Sequence, residues 1–162
     1  MIFTPADMSD LALIEEIYAE ARAYMKEMGN AVQWGSRYPE TAQILSDIAE
    51  KALYTVRIES EIAAVFYFRI GSDDSYRRID GAWQNDAPYA VIHRVAVSDR
   101  FRGRGLSRAI FDYCYARFPN LKIDTHEKNI PMQRTLEKNG FRRCGTVRIE
   151  GGDTRIAYQR AE

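Results

Sequence analysis

Hydrophobic and polar residues alternate along the chain with two different periods, and the changes of period mark the predicted elements. A short apolar run at 2–4 predicts a first strand. Helical spacing of apolar residues from 11 to 28, and again from 40 to 51, predicts two helices. Strand-like runs at 54–58 and 62–70, with a polar segment between them, predict a β-hairpin.

The second half of the chain alternates strands with helices. Its predicted elements, in order, are a short strand near 76–83, a strand at 90–97, a helix at 105–117, a strand at 121–125, a helix that ends at Asn139-Gly140, and strands at 141–149 and 154–160. Strand, crossover helix and strand between 90 and 125 predict a right-handed parallel pair. The complete order predicts an α+β fold, in which a mixed and mostly antiparallel sheet carries helices on both faces.

Length and composition are typical of one soluble domain, which we predict over residues 1–162. Hydrophobic residues make up 46% of the chain, and no apolar run approaches the roughly 20 residues that a membrane span needs. Lys plus Arg and Asp plus Glu number 23 each, and this zero net charge argues against a protein that coats nucleic acid. Because the start also lacks the pattern of a signal peptide, we expect a cytoplasmic protein with neither a membrane nor a nucleic-acid partner.

The two cysteines, Cys114 and Cys144, lack the spacing of a redox pair or a metal site, so we expect reduced thiols and no bound metal. A nucleophilic Cys144 would form a covalent intermediate with its substrate. However, strand alternation should send the neighbouring Arg142 and Arg143 to opposite faces, so the sequence gives no reason for a lowered thiol pKa. An inert thiol is the favoured interpretation.

The strongest chemical signal is a Gly-rich turn between the strand at 90–97 and the helix at 105–117, reading Arg102-Gly103-Arg104-Gly105-Leu106-Ser107. Glycines let backbone N–H groups approach a phosphate, and a helix N-terminus adds about half a positive charge. The alternative is that both glycines only turn the chain. The flanking strand, the helix and the arginines favour an anion site.

This turn resembles the pyrophosphate-binding loop of the GNAT superfamily of acyl-CoA-dependent N-acetyltransferases. That loop reads Arg or Gln, two residues, Gly, one residue, then Gly or Ala, and Ser107 stands at the last position. A second block agrees, because Asn129 is followed by Leu136-Glu137-Lys138-Asn139-Gly140-Phe141 where the family has Tyr-Glu-Lys-x-Gly-Phe. The two blocks occur in the family's order and spacing and cover residues 90–141.

The resemblance implies direct transfer of an acetyl group from acetyl-CoA, or of another acyl group from its CoA thioester, to an amine-bearing acceptor. It also implies a donor site where the strand ending at Val97 splays from the strand at 121–125, and a homodimer through the last strands as one option. Loop N–H groups would hold the pyrophosphate, while strand backbone would pair with the pantetheine arm and polarise the thioester carbonyl. The donor-binding residues implied are Val95, Val97, Arg102, Gly103, Arg104, Gly105, Leu106, Ser107 and Asn129.

The proton path is where the chain departs from the family. Many relatives use the tyrosine of the second block to protonate the leaving thiolate, and Leu136 stands at that position. His93 is the first candidate base, because imidazole titrates near neutral pH, and a structural histidine is the alternative. His126 is the second candidate and could instead anchor a loop, with Asp124 ordering a neighbour. Tyr158 could replace the missing acid, although packing is favoured.

Trp34, Tyr38 and Trp83, together with Tyr76, could line an acceptor pocket, because aromatic faces suit an apolar amine or a cation. Packing, a lid or a dimer contact is the alternative. The missing tyrosine also leaves open a non-catalytic acyl-CoA-binding or sensor module. An ATP-binding protein is disfavoured, since GxxxxGK[ST] is absent.

Overall fold

A computed structural model describes residues 1–161, and it contains the predicted helices and strands. The elements are β1 (Ile2–Pro5), α1 (Leu11–Glu27), α2 (Thr41–Ala49), β2 (Leu53–Ile58), β3 (Glu61–Ile70), β4 (Asp80–Gly81), β5 (Ala90–Val97), α3 (Leu106–Arg117), β6 (Leu121–Thr125), α4 (Ile130–Lys138), β7 (Arg142–Arg148) and β8 (Thr154–Arg160). The predicted α+β class is confirmed, with an open mixed sheet in which β5 and β6 are parallel. The helices of residues 1–161 are all too short or too polar to span a bilayer.

Local chemistry explains where α4 begins. The side-chain oxygen of Asn129 accepts a hydrogen bond from the N–H group of Met132 at 3.2 Å, which caps the first turn. Pro131 lies in that turn, where its missing N–H group has no helical acceptor to lose. Asn129 is therefore the N-cap residue of α4.

The described chain forms two compact units, each built from two separate stretches of sequence. The first consists of Met1–Phe68 and Arg94–Ser107, and the second of Arg69–His93 and the residues from Arg108 onward. The single-domain organisation stays a prediction.

In the first unit, β1, β2 and β3 form antiparallel pairs in that order. The end of β5 lies beside β3, where the N–H group of Ser98 donates to the carbonyl oxygen of Ala63 at 2.9 Å. Apolar faces of α1 and α2 supply the fully or nearly fully buried side chains Ile14, Tyr18 and Ile44. Burial of these faces stabilises both helices against the sheet.

In the second unit, β6 pairs with β8, β8 with β7, and β7 with β4, all antiparallel. The parallel pairing of β5 with β6 comprises two positions, Ala90 with Leu121 and Val91 with Lys122. Ile92 and His93 continue β5 beyond the last paired position. The strands therefore part after Val91, in agreement with the predicted splay.

Candidate active site

His93 lies in β5 where the parallel pairing has ended, and two carboxylates face its ring. Its Nε2 atom is 2.9 Å from Oδ2 of Asp73, and its Nδ1 atom is 4.0 Å from Oδ2 of Asp124. The His93 side chain is 21% exposed. An ionised carboxylate only accepts hydrogen bonds, so Asp73 holds the proton of a neutral imidazole on Nε2 and leaves the lone pair on Nδ1.

Asp73 is itself fixed by its own loop. Its side chain accepts a hydrogen bond from the N–H group of Ser75 at 2.9 Å, and its backbone N–H group donates to the hydroxyl of Tyr89 at 2.9 Å. The hydrogen bond from His93 lowers the pKa of Asp73, although partial burial acts in the opposite direction. Asp73 is therefore an ionised acceptor at neutral pH.

Asp124, near the end of β6, is held by a buried tyrosine. The hydroxyl of Tyr76 donates to Oδ2 of Asp124 at 2.6 Å. Tyr76 is only 2% exposed, and burial, followed by the charge of Asp124, raises its pKa well above the usual value. The phenol therefore keeps its proton and acts as a donor.

Trp83 packs against Tyr76, next to the cluster of His93, Asp73, Asp124 and Tyr76 (the His93 cluster). Its Nε1 atom donates to the backbone carbonyl of Tyr76 at 3.0 Å, and the two ring centroids are 5.3 Å apart. The Nζ atom of Lys122 lies 4.1 Å from the centroid of Trp83 and 3.9 Å from that of Tyr89. Because an internal cation already faces the indole, the geometry favours the packing interpretation of Trp83.

The second candidate base, His126, has a different environment. Its Nδ1 atom accepts a hydrogen bond from the N–H group of Lys128 at 3.0 Å. Desolvation, with a smaller contribution from the Arg155 charge, lowers its pKa. This contact within the turn favours the loop-anchor alternative.

Cys144 and Tyr158 are the two other reactive side chains considered from the sequence, and Cys144 is only partly buried. Cys144 is the extra residue of an irregularity in β7, and burial raises the pKa of its thiol. The Tyr158 side chain is fully buried, and its hydroxyl has no hydrogen-bond partner within residues 1–161. Tyr158 pairs with Ile123, which alternates with Asp124 along β6, so Tyr158 lies on the face opposite that carboxylate. Neither side chain joins the His93 cluster.

The Gly-rich loop, where the sequence predicts an anion site, lies in the first unit. Gly103 and Gly105 have φ angles of +81° and +76°, and a Cβ atom added at either position would meet no atom within 4 Å. The guanidinium of Arg102 pairs with Asp99 and lies 3.8 Å from the ring centroid of Tyr24. Helix α3 begins directly after Gly105, so an open, left-handed turn leads into its N-terminus.

Val95 and Val97 follow an unusual residue in β5. Arg94 has a φ of +51°, which is rare for a side chain of this size. Its guanidinium makes two hydrogen bonds to Asp47, at 2.7 and 2.9 Å, and its carbonyl accepts one from Tyr18 at 3.0 Å. These contacts hold the strand in a local irregularity that sets the direction of the backbone at Val95.

The two remaining aromatic candidates belong to the segment between α1 and α2. The ring centroid of Trp34 lies 5.7 Å from that of Tyr18 and 6.1 Å from that of Tyr38. Tyr38 is 37% exposed. A cavity of about 430 Å³ is lined by residues that include Tyr18, Arg22 and Glu40. Trp34 therefore packs behind a wall of this cavity.

Asp73 and Tyr76 lie around the candidate base, and sequence reasoning did not assign them to it. They belong to the polar segment 71–86, where the sequence predicts only a short strand near 76–83. They reach His93 and Asp124 through contacts between positions 20 and 48 residues apart in sequence. The only available signal was a pair of aspartate and aromatic residues in a loop, which is common in proteins.

Comparisons with known proteins agree on one family. The sequence model of the Acetyltransferase (GNAT) family matches residues 14–141. A solved GNAT-family acetyltransferase from Streptococcus agalactiae is similar with a TM-score of 0.90 and 30% identity, over 99% of this chain and 95% of that chain. A comparison with curated proteins found no match.

Two further solved structures share the fold at lower identity. The ribosomal-protein-alanine N-acetyltransferase from Brucella melitensis has a TM-score of 0.67 and 15% identity, over 100% of both chains. The AAC(6')-Ib structure in complex with ribostamycin and coenzyme A has a TM-score of 0.67 and 20% identity, over 99% of this chain and 92% of that chain.

Proposed function

Because the chain belongs to the GNAT acetyltransferase family, we propose that it transfers an acetyl group directly from acetyl-CoA to a primary amine of a small molecule or peptide. The observation that carries this proposal beyond the family is the His93 imidazole, oriented by Asp73 at 2.9 Å. An alkyl amine has a pKa of about 10.4 and must lose a proton before it can attack. A neutral imidazole is a suitable base at neutral pH.

The Gly-rich loop supports the donor half of this proposal. Backbone N–H groups between Arg102 and Ser107 would hold the pyrophosphate, and the open space at Gly103 and Gly105 lets it approach closely. Acetyl-CoA supplies the acetyl group activated as a thioester. The coenzyme A in the AAC(6')-Ib structure is a precedent for this class of donor on the same fold.

In the proposed reaction, the amine nitrogen bonds to the thioester carbonyl carbon and the C–S bond breaks. The proton of the amine passes to Nδ1 of His93, and the ionised Asp73 stabilises the imidazolium that forms. Leu136 carries no acidic group, so coenzyme A leaves as a thiolate. Through water, this thiolate takes the second proton that the nitrogen loses as the amide forms.

Replacement of the imidazole tests the catalytic part of the proposal. We expect H93A to lower kcat at neutral pH by about 10²-fold or more, because the amine then lacks its base. We expect the Kd of acetyl-CoA, measured by calorimetry, to stay nearly unchanged. A pH–rate profile identical to that of the wild type would remove His93 from the mechanism, and no acetyl-CoA binding at millimolar ligand would contradict the donor assignment.

A non-catalytic acyl-CoA-binding or sensor module is the second candidate function, and the absence of the family's tyrosine favours it. Leu136 is fully buried and offers no polar group. Tight binding of acetyl-CoA without turnover over a broad panel of amines would support this function instead of the transferase.

A further inference from the structure

Asp124 also lies beside His93, but it is not needed to orient the imidazole. Asp73 already contacts Nε2 of His93, whereas Oδ2 of Asp124 is 4.0 Å from Nδ1 and thus beyond hydrogen-bond distance. The Asp124 side chain is mostly buried, with 13% exposed. Burying a carboxylate costs free energy unless its charge is compensated, so this position calls for a reason.

Tyr76 fixes the Asp124 carboxylate without neutralising it. The phenol donates to Oδ2 at 2.6 Å, the same oxygen that faces the imidazole. Within residues 1–161, His93 is the only basic group within 4.0 Å of this carboxylate. Lys122, two residues earlier in β6, has its Nζ atom against the rings of Trp83 and Tyr89 instead. The described residues therefore place no lysine or arginine within 4.0 Å of this carboxylate.

The spacing suits a protonated amine. A nitrogen that donates hydrogen bonds of about 2.9 Å to two acceptors 4.0 Å apart does so at an angle of roughly 90°, which an sp³ ammonium accommodates with little distortion. A primary ammonium has three N–H groups, so two can donate to Asp124 and His93 while the substituent points away. The positive charge of the ammonium also offsets the negative charge of the carboxylate.

We propose that Asp124 is a specificity residue that binds the acceptor as an alkylammonium ion, and that Tyr76 is the positioning residue that aims its carboxylate. This inference rests on the proposed function. The ammonium donates one N–H to Oδ2 of Asp124 and transfers another proton to Nδ1 of His93. The N–H bonding pair becomes the lone pair of the neutral amine, which bonds to the acetyl carbon as the C–S bond breaks. The second proton that the nitrogen then loses passes through water to the leaving thiolate.

The test compares a charged acceptor with its neutral counterpart. In D124N we expect KM for an alkyl amine to rise about tenfold or more, because a charge-assisted hydrogen bond becomes a neutral one. The matching alcohol, with hydroxyl in place of amine, is measured as an inhibitor, and its Ki should change far less. KM for acetyl-CoA should stay constant. The control is D74N, which removes a carboxylate that is 90% exposed and pairs with Arg77.

A second variant, Y76F, tests the proposal if the D124N protein does not fold. Y76F removes only the hydroxyl, and we expect it to raise KM for the amine several-fold while kcat and the Ki of the alcohol change little. Equal losses for amine and alcohol in the variant that folds, or an unchanged KM for the amine, would overturn the proposal.

Failure of the proposed function gives a different result, namely no wild-type turnover with any amine. The charge selectivity is then read by calorimetry, as amine binding against alcohol binding in the presence of coenzyme A. Preference for the amine in the wild type that D124N abolishes still supports the role of Asp124, and equal affinities contradict it.

Discussion

The carboxylate of Asp73 gives His93 its orientation, and its own charge depends on that contact. The same hydrogen bond that fixes the imidazole lowers the pKa of Asp73. Protonation and stability are linked wherever the pKa differs between the folded and the unfolded chain. The pair should therefore leave a signature in the pH dependence of folding as well as in catalysis.

The pH dependence of stability in D73N tests this linkage. The lowered pKa means that the contribution of Asp73 is complete above its unfolded value of about 3.9 and is lost as pH falls through the folded value. We expect the Tm difference between wild type and D73N to shrink as the pH falls below about 4. Thermal unfolding followed by circular dichroism across this range measures it.

H93L, which removes the ring donor, provides the control for that experiment. Since the hydrogen bond from His93 is the largest cause of the lowered pKa, D73N in an H93L background should show less of the pH-dependent difference. A Tm difference of the same size at pH 3 and pH 7 would contradict the assignment of the shift to this pair.

At the scale of elements, the turn between β5 and α3 combines two requirements in its glycines. Each has a positive φ, which disfavours any side chain, and each leaves open space where a Cβ would stand. The positive φ belongs to the fold, and the open space is what the proposed approach of a phosphate requires. Gly29, at the end of α1, separates them, because it has a φ of +85° and equally open surroundings outside the loop.

Alanine substitutions at Gly29 and Gly103 can be compared directly, because both glycines have a positive φ and open surroundings. We expect G29A and G103A to lower the free energy of unfolding by a similar amount, about 1 kcal/mol, because both force alanine into the left-handed region. Only G103A should weaken acetyl-CoA binding, by about tenfold, since its methyl group occupies the space proposed for the pyrophosphate. Chemical denaturation and calorimetry measure the two effects. Equal affinity for acetyl-CoA in both variants would contradict the proposed pyrophosphate site.

The sequence could predict those helices and strands whose ends are marked by local signals. The period of apolar residues located β5, α3 and β6, and the Asn-Gly pair located the end of α4, because these signals act within a few residues. Arg94 shows where such reasoning stops. Arginine gives no local indication of a positive φ, and contacts with Asp47 and Tyr18, far apart in sequence, impose that conformation.

At the scale of the whole molecule, two short blocks were enough to predict the family and the α+β fold, whereas the contacts around His93 could not be predicted. Each block spans only a few residues, and the positive φ angles of Gly103 and Gly105 belong to such a local turn. Asp73 and Tyr76 reach His93 and Asp124 only when segments distant in sequence pack together. The residues proposed to act on the acceptor are therefore ones that the two blocks do not contain.

Stability of the first unit should depend strongly on one buried ion pair. Asp47 is 1% exposed and receives two hydrogen bonds from Arg94, which joins α2 to β5. We expect D47N to lower the free energy of unfolding by about 3–5 kcal/mol, because it leaves the guanidinium buried without its counter-charge. The control is E40Q, which breaks the exposed pair with Arg37 and should cause no measurable change. Urea denaturation measures both, and comparable losses would mean that burial does not decide the strength of these pairs.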